Sequence, residues 1–122
     1  MPANVRIKTA KLISELAKEM ELKDILDFWN SSFPGERVGA AIGICTHLTI
    51  YDNNQSDKIV INTLQEGLSD SYSRVRYRVV EAIGKSEKLV NHFKEKLTPI
   101  SHHDKNSGVG NKAKEILKKY QA

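Results

Sequence analysis

The chain has 122 residues, 39% apolar and 28% charged, a composition that fits one soluble domain with a real core and excludes disordered and membrane-embedded classes. No apolar run is long enough to span a bilayer and no basic-apolar leader opens the sequence, so neither a spanning helix nor secretion is expected, and the expected location is cytoplasmic. The net charge of +4 is uneven: residues 1–61 carry 7 Lys/Arg against 8 Asp/Glu, and residues 62–122 carry 12 against 7.

Taken in chain order, stretches with helical spacing alternate with short polar breaks. Pro2 and an N-cap at Asn4 open the first helix, Val5 to about Met20. Leu22 to about Trp29 follows, and "NSSFPGE" makes a turn. The third helix runs from about Glu36 to Leu48, and "YDNNQSD" is a loop. Asp57 caps the fourth, Lys58 to Leu68. Arg74 to Lys85 forms the fifth, although its alternation of arginine with Val75, Tyr77 and Val79 also suits a strand. A strand would stop at Val79 and leave "EAIG" without a role, whereas Val75, Val79, Ala82 and Ile83 share one helical face. Helix wins. The sixth covers Glu87 to Leu97, "TPISHHDKNSG" is a long polar connection, and the last helix is about Val109 to Tyr120. The fold class is therefore all-α, with about seven helices.

The helices repeat one another. "VRYRVVEAIG" (75–84) lies over "VRIKTAKLIS" (5–14) and "VGNKAKEILK" (109–118), while "RVGAAIG" (37–43) overlays Arg78 to Gly84. With the basic position as a ruler, the copies stand at Lys8, Arg37, Arg78 and Lys112, at intervals of 29, 41 and 34 residues. Imperfect helix-pair repeats at this spacing indicate an α-solenoid.

The stretch "LQEGLSDSYSRVRYRVVEAIGKS" resembles a HEAT repeat, with one helix, an Asp-containing turn, then a second helix opening with Val-Arg and closing with Ala-Ile-Gly. By motif the resemblance is confined to residues 58–86; by periodicity it covers nearly the whole chain. It implies a right-handed stack of antiparallel helix pairs, the second helices lining a concave face. It also implies that Asp70 caps its helix while Arg76 reaches towards a neighbouring turn. Gly35 and Gly110 stand where Arg6 and Arg76 stand, so reduced order is expected in the second and fourth copies. In this phase the chain starts on an unpaired second-type helix with a wide apolar face (residues 5–20), expected either to dimerise or to pack on a preceding helix. A lysine-rich last helix reads as a terminal cap, and together these suggest the C-terminal portion of a longer array.

Catalytic and ligand motifs are weak. Cys45 is alone, which rules out an internal disulfide, and it is expected to be a small buried residue rather than a nucleophile. His47, His92, His102 and His103 lack the spacing of a metal site, and the seven glycines form no phosphate-binding motif. No cofactor and no enzyme activity are expected. Trp29 and Phe28, near Phe33, are expected to fill the core between the second and third helices. The remaining reading is a scaffold that binds a protein with an acidic surface, with nucleic-acid phosphates as the alternative. Its contact residues are Lys8, Arg37, Arg78 and Lys112, extended by Arg74 and Lys119.

Overall fold

A computed structural model of the chain describes residues 3–51 and 57–121. The helix start at Pro2, most of the "YDNNQSD" loop and Ala122 lie outside the described residues. So does the Arg6 side chain.

Among the described residues there is no strand. The helices are α1 (Ala3–Glu19), α2 (Leu22–Asp27) with a 3₁₀ turn at Phe28–Asn30, α3 (Pro34–Ile50), α4 (Lys58–Gly67), α5 (Ser73–Ile83), α6 (Glu87–His103) and α7 (Ser107–Lys119). The protein is all-α. The odd-numbered helices pack in succession, α1 on α3, α3 on α5 and α5 on α7, while α2 packs on α3, α4 on α5, and α6 on both α5 and α7.

The starts of these helices follow from local chemistry. Asp57 accepts the N–H groups of Ile59 (2.8 Å) and Val60 (3.4 Å), two of the donors that a helix start leaves unpaired. Ser86 Oγ accepts from Leu89 N–H, and Asn106 Oδ1 from Val109 N–H. Pro34 stands in the first turn of α3, where its missing N–H costs nothing. Asn4, expected as a cap, lies inside α1.

Most helix ends lie within about two residues of the expected ones, and the largest difference is at the end of α6. Helix α6 continues through Pro99 to His103, so most of the expected connection is helical. Proline removes one donor, and both Pro99 and Glu95, four residues earlier, lie on the exposed side of α6, so the interruption falls outside the core. The continued turn then buries Ser101 and half-buries Ile100. The true α6–α7 break is Asp104 to Asn106.

The core runs along the odd-numbered helices. In α3, Ala40, Ala41, Ile42, Gly43, Ile44, Cys45, His47 and Leu48 are all buried, so this helix is enclosed on most sides. Its small residues permit that: a Cβ on Gly43 would stand 2.9 Å from Ile25 Cγ2 of α2. Val75, Val79, Val80, Ala82 and Ile83 of α5 are fully buried, as are Val60 and Leu64 of α4. Trp29 is buried as expected, with its indole over Gly67 of α4. Phe28 is exposed instead of joining it, because the 3₁₀ turn aims one ring of the pair inward and the other out, and Phe33, just before α3, is exposed too. His47 is buried with Nε2 2.7 Å from the Ala17 carbonyl, a contact in which Nε2 must carry the hydrogen, and this ties α3 to the end of α1.

Candidate functional site

The strongest polar pattern is a repeated arginine link. Arg37, fourth residue of α3, donates from Nε and Nη2 to the two Asp70 carboxylate oxygens at 2.8 and 3.1 Å, and from Nη1 to the Ser31 carbonyl at 3.0 Å. Arg76, fourth residue of α5, repeats this one unit later. It forks onto Asp104 at 3.0 Å twice and reaches the Asp70 carbonyl at 2.8 Å. Each turn also bonds itself: Ser31 Oγ, Asp70 Oδ1 and Asp104 Oδ1 accept the N–H of Phe33, Tyr72 and Asn106, two residues on in each case. Such planar two-bond forks fix angle as well as distance, so they lock successive turns together.

The ladder corrects the repeat register. Arg37 matches Arg76, not Arg78, which puts Gly39 in line with Arg78. The shared Ala-Ile-Gly letters that suggested otherwise face different neighbours: Gly43 meets Ile25, while a Cβ on Gly84 would collide with Ile116. The second copy therefore does carry the arginine that the sequence reading denied it. In the fourth copy Gly110 takes the place, where a Cβ would stand 3.4 Å from the Ile100 carbonyl.

Electrostatics follow these contacts. The hydrogen bond and charge of Asp70 raise the Arg37 pKa further, against a smaller opposing effect of burial. Burial alone would lift the Asp104 carboxyl, but the Arg76 fork, the Asn106 N–H and the Arg76 charge together hold it below the usual carboxylate value. The Cys45 thiol is pushed up to about 11, first by burial and then by the Glu81 charge, with Lys85, Arg78 and Lys112 pulling the other way. Such a thiol is almost wholly protonated near neutrality, which makes it a poor nucleophile.

A groove of about 700 Å³ crosses α1, α3 and α5. Ile7, Ala10 and Ile13 of α1 line it with Val38 and Ile42 of α3, and Tyr72, Arg74, Tyr77 and Arg78 stand at the α5 side. Arg78 Nη1 donates to Glu81 at 3.1 Å, leaving its other donors available. Arg74 has no carboxylate partner among the described residues. A smaller depression of about 160 Å³ lies between α5 and α7, lined by Glu81, Lys85, Lys112 and Lys119 among others.

The six basic residues singled out from sequence thus divide. Arg74 and Arg78 meet at the large groove, and Lys112 and Lys119 at the small depression, with Glu81 between the two pairs. Lys112 pairs with Glu115 at 3.4 Å, and Lys119 Nζ lies 5.3 Å from the Tyr120 ring centre. Lys8 is exposed on α1. Arg37 leaves the row, since its guanidinium is committed to Asp70 and Ser31. Sequence reasoning missed the apolar floor of the groove, whose residues look like ordinary core positions until α1, α3 and α5 are set side by side.

Among the described residues no three His, Cys, Asp or Glu side chains converge as a metal site, and no helix is long and apolar enough to cross a membrane. The chain matches no family model, no curated protein and no solved structure.

Proposed function

We propose that the chain is a HEAT-like α-solenoid module, without catalytic activity, that holds a segment of a partner protein on the exposed face of its odd-numbered helices. The recurring arginine link and the successive stacking of α1, α3, α5 and α7 support the solenoid reading. The observation that carries the binding reading is the groove itself: an apolar floor with the unpaired Arg74 and the half-used Arg78 on one wall. That chemistry fits an amphipathic acidic segment. Its apolar face would cover Ile13, Val38 and Ile42 while its carboxylates meet the guanidiniums.

Selection from a displayed library of short amphipathic peptides tests the proposal. Enriched peptides are expected to combine Asp or Glu with apolar residues at helical spacing. The Arg74→Glu/Arg78→Glu protein should bind them at least about tenfold more weakly, a loss of about 1.4 kcal/mol, with unchanged melting. Enrichment that ignores the double reversal would defeat the reading. So would a preference for duplex oligonucleotides whose affinity falls steeply with salt, the signature of phosphate contacts.

A further inference from the structure

Helix α1 carries apolar side chains on two faces. Ala17 and Met20 turn inward, Ala17 fully buried, and Ile13 faces the groove beside α3. On the outer face Val5, Leu12 and Leu16 are 42%, 66% and 64% exposed. The equivalent positions in α5 (Val75, Ala82) and α7 (Val109, Ile116) are buried, Ile116 against Gly84 at the end of α5. The uncovered face of α1 thus repeats a surface that neighbouring helices cover in α5 and α7.

What covers it is indicated by spacing and charge. Val5, Thr9, Leu12 and Leu16 follow the alternating four-three-four spacing of a coiled-coil seam. One flank of that seam faces α3: Met20 packs on the core and Ile13 lines the groove. The other flank carries Lys8 and Glu15, both exposed, of opposite charge and seven residues apart, with Glu15 also accepting from Lys18 of the same helix at 3.0 Å. In a parallel pair each flank meets the opposite flank of its neighbour, which would direct Lys8 and Glu15 at the apolar side chains Ile13 and Met20 on the side that faces α3. In an antiparallel pair each flank meets itself. Lys8 of one copy then falls beside Glu15 of the other, twice over, while Val5 lies against Leu16 and Thr9 against Leu12. The face is complementary to itself only in that orientation.

We propose that α1 pairs antiparallel, through Val5, Thr9, Leu12 and Leu16, with α1 of a second copy of this chain. The two-fold relation makes the contact closed, so assembly stops at a dimer. The seam spans one helix face and is small for a stable interface, so dimerisation is weak and depends on concentration.

Sedimentation of the full chain from about 5 to about 500 µM tests this, a range that brackets a weak association. The mass is expected to rise towards twice that of the monomer. Leu12→Glu should keep the chain monomeric without lowering its melting temperature, since this side chain leaves no core contact behind. Lys8→Glu and Glu15→Lys should each weaken the dimer severalfold, and the two together should recover it. A monomer at every concentration, or a dimer unaffected by Leu12→Glu, overturns the pairing. Failure of the double reversal to outperform the single ones overturns the antiparallel register.

Discussion

Gly67 illustrates how closely single residues are fitted in this chain. Its backbone ends α4 against the Trp29 indole, and an added Cβ would lie 2.6 Å from the Trp29 ring and as near to Val79. Neither neighbour can yield easily, since the indole is rigid and Val79 is wholly buried in α5. Gly67→Ala is therefore expected to destabilise the protein by about 1–3 kcal/mol through overpacking, despite the better helix propensity of alanine. Chemical denaturation would check this, and an alanine variant as stable as the parent would show that Trp29 can move. The inward position of Trp29 was legible from its place at the end of an apolar helix. The outward position of Phe28 was not, because composition cannot tell which of two adjacent rings a 3₁₀ turn directs inward. Ile59 is a similar case: it belongs to an apolar series in sequence yet is exposed at the first turn of α4, while Val60 beside it is buried.

At the scale of elements, seven helices and the helical character of residues 74–85 could be read from the spacing of apolar residues. The end of α6 could not, because a proline reads as a stop unless it is known to lie on the exposed side of its helix. Shared small residues set Arg37 over Arg78 in sequence, whereas Arg37 and Arg76 are the two that make equivalent forks. These forks are also expected to bear on acid stability. Asp104 has its pKa depressed in the folded state, so its contribution is fully present above the ordinary carboxylate value of about 4 and is lost as pH falls through the lower folded value. Asp104→Asn is expected to cost about 1.5–3 kcal/mol at neutral pH by weakening charge-assisted bonds to Arg76. The deficit should shrink as pH drops from about 4 towards 2, where the parent loses the same charge. Denaturation of the two proteins across that range measures it. A deficit that does not change with pH would mean that the fork holds the turn by shape rather than by charge.

Across the whole molecule, burial is graded rather than uniform, and the gradient follows the row of odd-numbered helices. Helix α5 has neighbours on several sides, in α3, α4, α6 and α7, whereas α1 has its main contact with α3 and leaves large apolar side chains in water. In a stack whose units contact chiefly their neighbours, stability is roughly a sum of local terms, so an end unit opens more readily than an inner one. Within residues 58–97, Val60, Leu64, Val75, Val79, Val80, Ile83, Leu89 and Leu97 are fully buried. Each is worth about 1.5–3 kcal/mol when removed from water, and together they make this stretch the expected stability centre. Native-state hydrogen exchange should then find the slowest amides in α4, α5 and α6 and the fastest helical amides in α1. The dimer proposed above sharpens the expectation. Raising the concentration should slow exchange in α1 while leaving α5 unchanged, because the pairing covers α1 alone. Protection in α1 that equals α5 in the dilute monomer would mean that the chain opens as one cooperative unit, and the additive description of the stack would fail.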